Sequence, residues 1–282
     1  DESNVAKISS YGFAFGYLGG GLLFLINAAM TIKPEFFGLS GVADAVRWSF
    51  LSVSVWWTLF LIPILLKIQD RGANLPGSHF KLAYSKVFNT LRTVSSKKNV
   101  FIFLLAFFLY IDGVHTIMAM AADFALNLGL PSSDVIIALI LVQFVAFPTT
   151  LLWSKFAYKF GDKNTLLFTI FLYLIVIAYS AFLSNAIEFY VLASMVGAIQ
   201  GGIQSISRSY YATLIPKNES GEYFGFYNMF GRAGAFMGPA LVAIFVTFFQ
   251  DTRYGLIPIA ALFIMGAIIL LKVKSTHESL QS

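Results

Sequence analysis

Three ionisable residues lie in stretches otherwise apolar enough to be surrounded by lipid. Asp112 and His115 fall within FLYIDGVHTIMAMAA (108–122), and Arg232 falls in the run from Phe224 to Phe249. An ionisable group at membrane depth is costly, so it marks an ion or substrate path and calls for a partner. Thr116, Ala119 and Asp123 follow Asp112 by four, seven and eleven residues, which puts all four on one helical face. Asp112 is a candidate carrier of a coupling proton, and equally a candidate cap for a helix break at Gly113. Asp123, nearer the span's end, reads as a solvated cap. His115 lies one turn beyond Asp112 and slightly aside, as an interior hydrogen-bonded imidazole or a proton handler. Arg232 is about ten residues into its span, too deep to snorkel, and requires an anion. Asp112 or a substrate carboxylate would serve, with Asn228 one turn before it. A clamp on substrate and a purely structural ion pair both fit Arg232.

Uncharged polar groups extend the pattern. Gln200, Gln204 and Ser207 form one stripe, and Gln143 precedes Pro148 by five residues. Amides offer donors and acceptors together, which suits a polar or zwitterionic solute. The competing role is interhelical hydrogen bonding, worth only ~0.6–2 kcal/mol each. No catalytic set accompanies these residues. Cysteine is absent, the three histidines form no His-x-x-x-His pair, and no Gly-x-Ser-x-Gly, phosphate-cradling loop or His-Glu-x-x-His occurs. The chain therefore reads as a non-enzyme with no cofactor and no metal. Without a nucleotide site, any work it does draws on gradients.

The elements that must position these residues are transmembrane helices. Of the 282 residues 58% are hydrophobic and 12% charged, against roughly 25% charged in a soluble domain. Runs of ~20 apolar residues cross a bilayer as helices, and about eight qualify: Tyr11–Ile32, Ala45–Ile68, Val100–Leu126, Val135–Phe160, Leu166–Leu183, Ile187–Leu214, Phe224–Phe249 and Tyr254–Leu271. The formal charge of +5 sits mostly between spans. It reads as a topology determinant rather than a nucleic-acid footprint. Lys and Arg crowd alternate loops, above all the stretch Gln69–Asn99, which places that stretch and both ends in the cytoplasm. Asp44 and Arg47 open the second span as an interfacial ion pair. Within the basic stretch, Phe80, Ala83, Val87, Leu91 and Val94 share a face, as in a surface-lying amphipathic helix or a plain linker helix. Gly16–Gly20, Gly197–Gly201 and Gly234–Gly238 have the Gly-x-x-x-Gly spacing, read as sites of close helix packing.

Two helices, a linker and six helices make an informative count. The last six divide into two triplets of opposite orientation, the nested inverted repeat of a major facilitator half. The runs GFAFGYLGGG (12–21), RWSFLSVSVWWTLFLIPILL (47–66), FLYIDGVHTIMAMAA (108–122), LILVQFVAFP (139–148), GGIQSISRSYYATLIP (201–216) and EYFGFYNMFGRAGAFMGP (222–239) resemble the vacuolar-effluxer-like branch of the major facilitator superfamily. That branch includes the autophagy-related vacuolar amino-acid effluxers of fungi and many bacterial members. The resemblance implies a twelve-helix protein of which this chain holds the fifth to twelfth helices. Residues 1–68 would be the last two helices of the N-terminal half, 69–99 the cytoplasmic linker, and 100–282 the complete six-helix C-terminal half with a short tail. A first residue of Asp, with no signal peptide, agrees with a chain truncated at its N-terminus. The resemblance also implies that the first, third, fourth, sixth and seventh spans line a cavity. One element departs from the superfamily. Its basic gating loop is represented here by SKFAYKFGDKN (154–164), with Tyr158 where an Asp is expected and only Lys159, Gly161 and Lys163 fitting. Lys159, Asp162 and Arg208 are the gating candidates.

The fold expected is an all-α membrane protein with a partial major facilitator architecture. The function expected is secondary active transport of a small polar or zwitterionic solute by alternating access, with amino-acid efflux the first choice and protons a possible coupling ion. Its partners would be the solute, the bilayer and the missing N-terminal helices, with no nucleic acid. It would sit in a bacterial inner membrane, or in the vacuolar membrane of a eukaryote. Uptake of another metabolite on the same fold, and a non-transporting membrane interaction protein, are the alternatives.

Overall fold

The computed structural model describes residues 2–67, 97–216 and 219–274, and the described part is helical throughout. The helices are α1 (Glu2–Ile32), α2 (Val42–Lys67), α3 (Lys98–Asn127), α4 (Ser132–Phe160), α5 (Asp162–Ser180), α6 (Ala186–Leu214), α7 (Ser220–Ala233), α8 (Met237–Phe249) and α9 (Leu256–Leu271). Short 3-10 turns occupy Pro34–Phe37, Gly234–Phe236 and Thr252–Gly255. Eight spans are long and apolar enough to cross a membrane, with α7 and α8 together forming one. The expected number of spans is therefore present, and the chain is an integral membrane protein. The expected amphipathic helix at Phe80–Val94 lies outside the described residues, as does the linker around it.

Helix α1 starts well before the expected Tyr11, because nothing in Glu2–Ser10 breaks a helix. That extra length is used. Ser9 donates to the Ser205 carbonyl at 2.9 Å and Ser10 to the Ser205 hydroxyl at 3.3 Å, docking α1 on α6.

Small residues set the packing of the six helices from α3 onward. A Cβ at Gly197 would stand 2.6 Å from the Val142 carbonyl, one at Gly201 would overlap the Thr150 hydroxyl, and one at Gly202 would lie 2.5 Å from the Trp153 indole. Helices α4 and α6 thus meet backbone to backbone, and the Trp153 Nε1 donates to the Ala198 carbonyl at 2.7 Å. On the other side, Gly266 of α9 brings a would-be Cβ to 3.0 Å from Tyr110 of α3. Gly231, Gly234 and Gly238 recur at helical spacing and seat the seventh span on Phe107, Asp112 and Thr116. The Gly197–Gly201 and Gly234–Gly238 pairs therefore pack as expected.

Two local expectations need correcting. Among the described residues Gly16 and Gly20 do not pack: nothing lies within 4 Å of a Cβ built on either. The possible break at Gly113 is also absent. Helix α3 runs through it unbroken, and the missing side chain instead admits the Phe263 ring, 2.8 Å from a would-be Cβ. The break falls in the seventh span, where Gly234–Phe236 tightens into a 3-10 turn. Pro239 explains it. Proline lacks the N–H that would bond the carbonyl four residues back, and its ring crowds that carbonyl. Here that carbonyl belongs to Ala235.

At the basic end, α9 is tied down by two neighbours. The Lys163 ammonium, at the start of α5, donates to the carbonyls of Leu271 (2.9 Å) and Val273 (2.7 Å). Asn99, at the start of α3, exchanges two hydrogen bonds with the Lys274 backbone, at 3.2 and 3.1 Å. Helix α2 is the opposite case. Ala45 is its only buried residue, and it is held to α1 by Ser52 donating to Asn27 Oδ1 at 2.9 Å and by Trp56 beside Gly19. Asp44 and Arg47 form the expected exposed ion pair at 3.1 Å.

Candidate functional site

The unfilled glycine face of α1 is one wall of a cleft of about 810 Å³. Gly12, Gly16 and Gly20 present bare backbone to it, and the remaining walls come from α3, α4, α6 and α7. These are the five spans expected to line a cavity. The cleft gathers Gln143, Gln200, Gln204 and Arg208, four of the residues singled out by type. Gln200 is almost fully buried, and its side-chain oxygen meets no donor among the described residues. Burying an amide oxygen without its partner costs roughly 1–3 kcal/mol, and this oxygen is an acceptor that the described residues leave open. Gln204, one turn on, accepts a 2.6 Å hydrogen bond from the Tyr17 hydroxyl of α1, which also lies beside Gln200. Its amide nitrogen reaches the Met118 sulfur at 4.0 Å. Arg208 stands at one end, exposed, with its guanidinium 5.4 Å from the centre of the Phe224 ring. Ser207 leaves the stripe: it is buried, with its hydroxyl 2.7 Å from that of Tyr110 on α3.

A second constellation sits apart from the cleft, between α3 and the broken span. Asp112 is fully buried, and neither carboxylate oxygen makes a hydrogen bond of full geometry among the described residues. Gly234 and Gly238 flank it, with would-be Cβ atoms 3.2 Å from its Cβ and 3.1 Å from its Oδ1. The Gly238 backbone approaches the carboxylate. Thr116 does not serve it, since its hydroxyl donates to the Asp112 backbone carbonyl at 2.7 Å. His115 is half-buried beside the Gly231 backbone, with Nδ1 enclosed and unbonded. Asp112 thus faces the 3-10 turn, where a backbone carbonyl has lost its donor and the first amides of α8 begin. A carboxyl group placed so can bind a proton or release it as the turn rearranges.

Arg232 does not join Asp112. Among the described residues no carboxylate lies within 4 Å of it, and both Arg232 and Asn228 are exposed. The reason is rotation of the helix. Close approach to α3 goes to Gly231, Gly234 and Gly238, and Arg232 follows Gly231 by about 100° around the helix, which turns it off that contact. Lys159 is exposed, its ammonium 5.2 Å from the Phe160 ring centre. Asp162 begins α5, where the positive end of the helix dipole favours a carboxylate. Tyr17 is the cleft residue that sequence reasoning missed. A tyrosine hydroxyl inside a glycine-rich span needs a polar partner, and that was the available signal.

Comparisons with known proteins agree in direction. A family model described as vacuole effluxer Atg22 like matches residues 1–281. The chain is 35% identical over 272 residues to a protein of Bacillus subtilis (strain 168) described as uncharacterized MFS-type transporter YxiO; the match covers 95% of this chain and 63% of that one. It is 25% identical over 273 residues to autophagy-related protein 22 of Cryptococcus neoformans (strain JEC21), covering 89% of this chain and 47% of that one. The protein of the same name from Yarrowia lipolytica is 25% identical over 285 residues, again covering 89% and 47%. The chain therefore spans between about half and two thirds of the length of these relatives.

Proposed function

The chain belongs to the vacuole effluxer Atg22-like family, and from that premise we propose that it is part of a secondary active transporter that moves a small zwitterionic solute by alternating access. Neutral amino acids are the first candidates, and efflux the first candidate direction. The observation that carries this reading is the cleft: Gln143, Gln200, Gln204 and Tyr17 at mid-depth, with Arg208 toward one end. The amides supply both donors and acceptors, the unsatisfied Gln200 oxygen suits an ammonium, and the guanidinium matches a carboxylate bidentately. The bare α1 wall lets a solute lie against backbone.

In this reading residues 1–68 close one helical half, 69–99 link, and 100–282 form the other half. The exposed flanks of α1 and α2 are then where further helices of the same protein pack. Asp112, walled off from the cleft, couples a proton to movement of α7 against α8 rather than touching solute.

Counterflow of radiolabelled neutral amino acids in proteoliposomes tests the proposal. Uptake that saturates, and that falls to background in Gln200→Ala/Gln204→Ala while the protein stays monodisperse, supports it. Counterflow of no amino acid, or full counterflow in that double variant, overturns it.

A further inference from the structure

A second cavity lies beyond the glutamines, inside the six-helix bundle. It has a volume of about 520 Å³, within the roughly 300–1,000 Å³ of small-molecule sites. Helices α3, α4, α5, α6, α8 and α9 enclose most of it, and the walls are mainly Leu, Ile, Val, Ala and Phe. Met118, Gln143 and Gln200 line both this chamber and the cleft, so they form a partition between the two. The chamber has a mouth, where its lining residues Asp123, Ala243 and Thr247 are exposed. Apolar walls hold water poorly. The chamber is therefore shaped for an apolar occupant that the polar cleft does not explain.

Charge narrows the class of occupant. Among the described residues Asp123 is the only charged side chain lining the chamber. Its side chain is exposed at the chamber's mouth, near the C-terminal end of α3 (Lys98–Asn127), where the last carbonyls carry partial negative charge and favour a cation. Phe24, Phe124 and Phe189 add aromatic faces to the wall, and ring faces attract cations. An anionic lipid headgroup would meet the Asp123 carboxylate with like charge. We propose that this chamber binds a lipophilic cation, its apolar body among the aliphatic walls and its charge toward Asp123. The inference shares Gln143 and Gln200 with the transport reading but does not depend on it.

Equilibrium binding to the purified protein in nanodiscs, without any gradient, tests this. The probes are tetraphenylphosphonium and tetraphenylborate, which have nearly the same shape and opposite charge. Tetraphenylphosphonium should saturate and bind at least ~10-fold more tightly, the scale of one charge pair at intermediate dielectric. Asp123→Asn should bring the two probes together. Ala243→Trp, which fills the chamber from an exposed position on α8, should remove binding while the unfolding temperature holds. Thr247→Trp, also exposed and lining, does the same work if Ala243→Trp does not fold. Equal binding of both ions, retention of binding in the filled variants, or a co-purified phospholipid that tetraphenylphosphonium fails to displace would each overturn the proposal. Amino-acid counterflow without cation binding sinks this inference alone, and cation binding without counterflow sinks the transport reading alone.

Discussion

Helices α2 and α3 have nearly the same mean hydropathy, 2.0 and 2.1 over their most apolar windows, yet none of that window is buried in α2 and 61% is buried in α3. Apolarity takes both into a membrane but does not decide what they pack against. In lipid there is no hydrophobic drive between helices, so association rests on close van der Waals approach. Helix α3 meets Gly231, Gly234, Gly238 and Gly266 on its neighbours, and α6 supplies Gly197, Gly201 and Gly202 to α4. Helix α2 contains no glycine, and its face is crowded with Trp, Phe and Leu. The contrast repeats within one motif. Gly197–Gly201 is filled and Gly16–Gly20 is open. The same spacing therefore serves as a seam in one place and as a cavity wall in the other.

The largest expected effect breaks the seam. Gly201→Leu drives a side chain into Thr150, and overpacking of this kind costs about 1–3 kcal/mol or more. Folded protein should largely disappear, as judged by monodispersity in detergent and by thermal unfolding. Gly16→Leu should shift stability by less than about 0.5 kcal/mol, in the range of substitutions that touch nothing, yet it should block counterflow by filling the cleft. Equal destabilisation by the two would erase the distinction between seam and wall.

Asp112→Asn sharpens the comparison inside the tightly packed part. Asp112 is a buried charge-bearing group without a full hydrogen bond, so the amide should fold as well as the acid. Gradient-driven accumulation should fall to background while solute exchange persists. Accumulation that survives would remove Asp112 from coupling, and loss of insertion would make it structural.

A smaller effect is expected where the bundle closes. Lys163→Met and Asn99→Ala each remove two hydrogen bonds and should lower stability by about 1–3 kcal/mol, at roughly 0.5–1.5 kcal/mol per bond, seen as reduced midpoints of thermal unfolding.

The smallest effect belongs to Arg232. With no carboxylate within 4 Å among the described residues, Arg232→Ala should change stability by less than about 0.5 kcal/mol. Combined with Asp112→Asn, the two changes should add within ~0.3–0.5 kcal/mol, as independent sites do. A larger coupling energy would show that the two residues meet in another conformation.

The spans were legible because bilayer thickness sets a length that apolar runs either reach or miss. The cleft was partly legible: glutamines in an apolar helix announce themselves, and three of them converge. What escaped was rotation and strain. Depth along α7 made Arg232 look enclosed, whereas its exposure depends on which neighbouring glycines take the contact with α3. The turn at Gly234–Phe236 was readable in principle from Pro239. The Gly234–Gly238 spacing signals packing just as strongly, and both hold there, while the helix through Gly113 stays unbroken. Tyr17 does not stand out in a glycine-rich apolar span, because its role rests on a contact with Gln204, 187 positions away in the chain.

The tie at the end of α9 bears on how the protein is made. Synthesis runs from α1 to α9, so α9 is the last of the described helices to leave the ribosome. Lys163 and Asn99 belong to helices made earlier, and the carbonyls they bind come from Leu271 to Lys274. Until those residues emerge, an ammonium and an amide wait without these acceptors. Leu271 to Lys274 are thus the last acceptors to reach these two donors. A nascent chain stalled just short of Leu271 would carry nearly all of α9 and still lack the bonds that latch it to α3 and α5.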